Sequence, residues 1–310
     1  MPRPLARPAR GASLVELLVG MVIALMVLGI ALQLTLIARA RYQRLADEAL
    51  IEDRGMRALE LIGNAVRQAG WITDIPGVSS VRRWPSAEAP LSLFGVDDCD
   101  SPKGVPDLEC GTRHAEQRSD ALMARFSGRN KLPPNSTTAD GAMHNCIGFE
   151  IPERTGSDED PRLGSMLLFI SISEDGELAP RLMCRSFAPG NTPAEGRARE
   201  IVRGVEILQL LYTLAPTPTS PEKIVSARAM SAKDWYRVQL VHVAIVVRGD
   251  RYSMRQPALD SIALFREITP APDAQSEDLS FRPKDPRRNR ARFTATFAVR
   301  NPLRCEADAC

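Results

Sequence analysis

From Leu17 to Ala38 the chain runs for 22 residues without a charge. At about 1.5 Å of rise per residue, a helix of that length spans roughly 33 Å, enough to cross the hydrocarbon core of a bilayer. The leader before it, MPRPLARPARG, carries Arg3, Arg7 and Arg10 and no acid. That asymmetry predicts a cytoplasmic N-terminus and a translocated remainder. A secretory signal peptide has a shorter apolar region followed by a small-x-small cleavage site. The LIARARYQR that follows this run is a poor match to one. A plain signal anchor explains the topology but not Glu16, at the front of the apolar stretch. A carboxylate there costs about 2.5–3.5 kcal/mol at the bilayer centre and less near an interface.

The order of features around Glu16 is informative. A short basic leader ends in Gly11, then Ala12, Ser13, Leu14, Val15 and Glu16 lead into the apolar run. This arrangement resembles the class III signal of type IV prepilins. The resemblance implies cleavage by prepilin peptidase between Gly11 and Ala12, N-methylation of Ala12, and Glu16 as the fifth residue of the mature chain. Ala12 departs from the Phe or Met usual at the first mature position. The resemblance also implies a use for the glutamate. A carboxylate meeting the freed α-amine of a neighbouring subunit inside an apolar bundle is far cheaper than a lone buried charge, so Glu16 is expected to act as a docking and register device.

No proline falls between Pro8 and Pro76. After Arg39 the pattern turns amphipathic, with Tyr42, Leu45, Ala49, Met56, Leu59, Ile62, Val66 and Ala69 at steps near three and four. Arg44, Asp47, Glu48, Asp53, Arg57 and Arg67 take other positions. One helix is therefore expected from about Ser13 to Ala69, its second half packing on a domain. Gly20, Gly29, Gly55 and Gly63 read as weak points where it can bend. A coiled-coil seam fits less well, because the stripe lacks clean pairing of flanking charges.

Beyond Trp71 the chain reads as strands and loops. DALMARF (120–126) and CIGFEI (146–151) are short strand candidates. SMLLFISIS, EDGE and LMCR read as a hairpin with Asp175-Gly176 at its turn. VEILQLLYTL (205–214) and VQLVHVAIVVRG (238–249) are the strongest apolar runs. FTATFAVRN alternates, with Phe293, Ala295, Phe297 and Val299 on one face, as in a half-buried antiparallel strand. Polar, Pro- and Gly-rich connections are expected over 127–145, 152–164, 186–200, 215–233 and 267–290. Loops of this length are unusual in a compact domain and suggest decoration on a sheet scaffold.

Six cysteines, Cys99, Cys110, Cys146, Cys184, Cys305 and Cys310, all follow the apolar run, which fits disulfides outside the cytoplasm. Six cysteines allow 15 pairings, and sequence does not select among them. The expected set is Cys99–Cys110, Cys146–Cys184 and Cys305–Cys310, each tying a loop or terminus to itself or to an adjacent strand. His114, His144 and His242 are scattered and no CxxC occurs, so no metal site is expected.

GMRALELIGNAVRQAGW (55–71) resembles the end of the N-terminal helix in PilW-family minor pilins. SDALMARF, RLMC, VRGVEILQLLYTL, WYRVQLVHVAIVVR and FTATFAVRN resemble strands of the same family in the same order. The resemblance implies an α+β, pilin-like fold: a long transmembrane and amphipathic N-terminal helix packed on an antiparallel sheet with long decorated loops. It implies a leader at 1–11, a transmembrane half-helix at 12–38, an amphipathic half at 39–70 and a periplasmic or extracellular sheet domain at 71–310. The implied function is that of a minor pilin priming pilus assembly near the tip. The implied partners are inner-membrane lipid, prepilin peptidase, other minor pilins and the major pilin. The alternatives are a J-like pseudopilin of type II secretion, a DNA-uptake pseudopilin, and a membrane-anchored periplasmic enzyme.

Against the enzyme, no Gly-rich phosphate loop or GxSxG appears, and no cofactor is implied. The acidic DDCD (97–100) lacks the ligand spacing of a calcium loop and reads as solvated. RPKDPRRNRAR (282–292) reads as a solvated basic linker. Without interleaved aromatics, and in a chain of net charge +2, it is a weak nucleic-acid signal.

Overall fold

A computed structural model describes residues 13–71, 92–99, 102–103, 108–110, 118–132, 136, 138–153, 164–171, 179–186, 197–218, 220–252, 261–269 and 274–301. The chain forms two compact units, Met1–Ala49 and Leu50–Cys310. Helix α1 covers Leu14–Gln68, close to the span its proline-free periodicity predicts. In the first unit its apolar side chains from Leu14 to Ile37 are exposed. It is the one helix among the described residues long and apolar enough to cross a membrane.

The second unit is built on antiparallel strands: β1 (Leu93–Val96), β2 (Pro102–Lys103), β3 (Glu109–Cys110), β4 (Ala121–Arg125), β5 (Ser165–Ser171), β6 (Arg181–Ser186), β7 (Arg197–Arg203), β8 (Val205–Leu214), β9 (Lys223–Val225), β10 (Val238–Tyr252), β11 (Ile262–Ala263), β12 (Ser280–Phe281) and β13 (Arg288–Ala298). Five form one sheet in the order β1-β4-β5-β6-β7, and four form another in the order β13-β10-β8-β9. β2 and β3 pair as a small ribbon, as do β11 and β12. A single turn of helix, α2 (Ser276–Leu279), leads into β12. The α+β class expected from sequence is the class observed.

β8 is buried along its whole length because both faces are covered. Val205, Leu208, Leu210, Tyr212 and Leu214 join the main core, together with α1 residues from Ile51 to Val66, Ala69 just beyond the helix, and inner-face residues of both sheets. Ile207 and Leu211 join Ala244 and Val246 under Leu264, Phe265 and Phe281 of the 261–281 segment. On the five-stranded sheet, Ala121, Met123, Leu167 and Phe169 are covered by Cys99 and Leu108.

Several expectations are corrected. The predicted stripe of α1 is packed only in its C-terminal half: Leu59, Ile62, Val66 and Ala69 are buried, with Ile51, Ala58 and Ala65 beside them, whereas Tyr42, Leu45, Ala49 and Met56 are exposed. CIGFEI is a turn rather than a strand. Asn145 Oδ1 accepts the N–H groups of Ile147 and Phe149 at 3.1 and 2.9 Å, and Gly148 takes a left-handed φ of 86°. Residues 197–200, expected in a loop, begin β7, and 223–225 form β9. The basic run 282–292 is no linker in its second half. β13 starts at Arg288, and Arg290, with a fully buried side chain, pairs with Glu206 through contacts of 2.5 and 3.0 Å. The hairpin turn at Asp175-Gly176 lies outside the described residues; its strands, β5 and β6, pair antiparallel.

Candidate functional site

The residues that begin α1 cap its first turn. Ser13 Oγ accepts the Val15 N–H at 3.3 Å, and Glu16 Oε2 accepts the Ser13 N–H at 3.1 Å. The carboxylate sits in the first turn, where the helix dipole favours negative charge. Glu16 thus has a local partner in the isolated chain, a role signalled by the S-x-x-E pattern at 13–16 and absent from the expectations above. Gly11 and Ala12 lie outside the described residues. Gly20 and Gly29 face open space.

Gly55 and Gly63 are not points of bending; they are seats for aromatic rings. A Cβ on Gly55 would run into the ring of Phe293, and one on Gly63 would stand 2.5 Å from Phe297 Cε1. Eight helical residues rise roughly 12 Å, and four strand residues advance about 13 Å, so the two periodicities match. α1 and β13 therefore run side by side in the same direction within the second unit. The seam closes at Gly70, which ends the helix at φ 74° and packs against the Asn301 carbonyl. Asn301 Nδ2 donates to the Arg67 and Ala69 carbonyls at 3.2 Å each, meeting two of the helix's unpaired acceptors. The Arg67 guanidinium lies 5.4 Å from the centre of the Phe297 ring.

The acidic stretch expected to be solvated is instead an internal clasp. Asp97 accepts the Ala227 and Arg228 N–H groups at 3.2 and 2.8 Å, and Arg228 Nε at 3.0 Å. Arg228 Nη2 also reaches Asp278 at 3.0 Å and Asp98 at 3.4 Å. Asp120, fully buried nearby, accepts the Leu210 N–H at 2.7 Å and the Asp98 N–H at 3.3 Å. Burial holds the Asp120 carboxyl well above the usual range, and the charges of Asp97 and Asp278 push it the same way. The guanidinium occupies the place a cation would take. Among the described residues no group of three or more His, Cys, Asp or Glu is arranged to hold a metal. His242 is held between Thr213 Oγ1 at 2.7 Å and Thr296 Oγ1 at 2.8 Å, and burial lowers its pKa. It is a buried, hydrogen-bonded member of the sheet.

Cys99 is bonded to Cys110 and Cys146 to Cys184, with Cα–Cα distances of 5.3 and 6.3 Å. The first bond staples the cover of the five-stranded sheet, and the second ties the Asn145 turn to β6. Cys305 and Cys310 lie outside the described residues.

The described residues thus include an antiparallel sheet domain and an N-terminal helix whose charge-free run, Leu17–Ala38, is exposed and long enough to cross a membrane. The model of one family, PilW, type IV pilus-assembly protein W, matches residues 168–301, from β5 to just beyond β13. No curated protein matches the chain. Among solved structures, a type IV-like pilin, TTHA1219 from Thermus thermophilus, is similar at 13% identity and a TM-score of 0.40, covering 82% of this chain and 97% of that one. The apolar N-terminal helix and the family match together fit a membrane-anchored component of a type IV pilus.

Proposed function

We propose that this chain is a minor pilin of a type IV pilus. The match of its sheet domain to a pilus-assembly family carries the reading. In it, prepilin peptidase removes residues 1–11 by cutting between Gly11 and Ala12, and the new terminus is methylated. Residues 12–38 hold the chain in the inner membrane with the N-terminus cytoplasmic, and 39–70 lead to a periplasmic domain from residue 71 onward. The chain then joins other minor pilins and the major pilin to prime the filament near its tip. Two disulfides in that domain suit an oxidising compartment. The work is done by packing and surface complementarity rather than by catalysis.

In this reading Glu16 has two successive partners. Before assembly it caps its own helix; in the filament it meets the Ala12 amine of a neighbour. The N-terminal sequence and mass of the chain isolated from membranes, with and without prepilin peptidase, test the reading. A start at Ala12 that depends on the enzyme is the expected result. An intact leader, or a cut elsewhere, would overturn it.

A further inference from the structure

We propose that the free edge of β13 is a strand-addition site, where the outward backbone groups of Arg292, Thr294, Thr296 and Ala298 pair with an extended strand from a different pilin subunit. The class of partner rests on the pilus-assembly reading above.

The two large sheets have four outer strands: β1, β7, β9 and β13. A free edge offers unpaired N–H and C=O groups to any passing strand, and proteins blunt such edges by shortness or charge. β1 has 4 residues and β9 has 3. β7 is longer but is studded with Arg197, Arg199, Glu200 and Arg203. β13 has neither safeguard over much of its 11 residues. From Phe293 to Ala298 it reads FTATFA, with no charge, no proline and strong strand formers.

The register identifies the available groups. The Val299 N–H donates to the Gln239 carbonyl at 2.8 Å, which makes Gln239 and Val299 a hydrogen-bonded pair. The pairing runs without a shift from Leu240↔Ala298 to Arg248↔Arg290. Antiparallel ladders alternate, so Phe293, Ala295 and Phe297 bond β10 while Arg292, Thr294, Thr296 and Ala298 turn their N–H and C=O groups outward. Among the described residues nothing bonds those outward groups. Thr296 and Ala298 are exposed.

The seam with α1 suits this use. The rings of Phe293 and Phe297, seated on Gly55 and Gly63, hold the strand extended and fixed. An added strand therefore meets a preordered edge and avoids most of the cost of ordering it. Its side chains would alternate, one row apolar beside Phe293 and Phe297, the other polar beside Thr294 and Thr296. Specificity would come from those rows, and affinity from the backbone.

The test uses the full chain in detergent, alone and in complex with the other pilins of the same genome. Residue-resolved amide exchange should show Thr294, Thr296 and Ala298 fast in the isolated chain and slow in the complex, with Phe293, Ala295 and Phe297 slow in both. Ala298→Pro and Thr294→Pro remove outward donors without removing a bond to β10. Either variant should keep the wild-type melting temperature and lose the complex. Outward amides that stay fast in the complex, or a folded Ala298→Pro chain that joins it normally, would overturn the proposal and leave the pilin reading intact. Protection of those amides in the isolated chain as its concentration rises would make the occupant a second copy and overturn the choice of partner. A wild-type chain that keeps its leader and joins no pilin would overturn the pilin reading, and this partner with it.

Discussion

The ring of Phe293 occupies the space in which a side chain on Gly55 would begin. Alanine in place of an exposed helical glycine stabilises by about 1 kcal/mol, but here the added methyl must displace a buried ring. Overpacking of that kind costs about 1–3 kcal/mol. Gly55→Ala is therefore expected to destabilise, with a lower urea midpoint. Phe293→Leu should recover part of the loss in the double variant and destabilise when made alone. A Gly55→Ala chain more stable than the wild type would show that the ring has room to move.

Arg228 joins three acidic side chains from two distant parts of the chain: the neighbours Asp97 and Asp98, and Asp278. Removing one partner of a buried pair leaves the others uncompensated, at a cost of about 3–5 kcal/mol. Arg228 is 27% exposed, so the lower end applies, about 3 kcal/mol for Arg228→Ala. Lysine cannot serve the three carboxylates through one planar fork and should rescue little. Chemical denaturation measures both variants. Full rescue by lysine would mean that charge alone, without the fork, holds the clasp.

The same cluster sets a pH dependence of definite sign. Asp120 is raised by burial first, then by Asp97 and Asp278. A raised acid holds its proton more tightly in the folded chain. Its contribution is thus fully present below the unfolded value near 3.8 and is lost as pH rises through the folded one. Asp250 behaves oppositely. Its hydrogen bonds to Arg54 lower it, so its contribution is present above 3.8 and lost as the pH falls. The stability that Asp120 contributes should decline in the wild type as pH rises above 3.8 and through the raised folded value, and Asp120→Asn should flatten that decline while sparing the acid limb. Unfolding midpoints across this range measure the slope, and an unchanged slope in Asp120→Asn would assign it elsewhere.

What could be read from sequence was local. The proline-free periodicity marks α1, unbroken apolar runs mark β8 and β10, and strict alternation marks the Phe293 face of β13. What could not be read depends on partners distant in the chain. RAREIVR looks like loop because an edge strand can carry charge on its open side. Asp97 looks solvated until Arg228 is brought to it, and Arg290 looks like linker until Glu206 covers it. Gly55 and Gly63 read as flexible because the rings that fill them belong to the last strand. Glu16 is different: its S-x-x-E signal is local and visible, yet the resemblance to a processing signal draws attention away from it.

The two disulfides close loops of different length, with sequence separations of 11 for Cys99–Cys110 and 38 for Cys146–Cys184. Loop-closure entropy grows with the logarithm of length, so the longer bond should stabilise by about 1 kcal/mol more. Each is expected within the usual range of about 2–4 kcal/mol. Paired Cys→Ala variants, compared by thermal unfolding, give the two values. An equal loss for both would point to packing around Cys99 as an added contribution from the shorter bond.

Glu16 separates a capping role from a pairing role, because the two need different things from the side chain. A cap needs an acceptor oxygen within reach of the Ser13 N–H, and glutamine supplies one. Pairing with a neighbour's α-amine needs a negative charge, and glutamine has none. If capping were the whole role, Glu16→Gln would assemble normally and Glu16→Ala would be defective. If pairing is required, both variants should remain in the membrane and both should be depleted from sheared pili to a similar degree. The second outcome is expected, since a helix of 55 residues loses little when one N-terminal contact is removed. Immunoblots of membrane and pilus fractions for the two variants decide it, and normal incorporation of Glu16→Gln would reduce the glutamate to a helix cap.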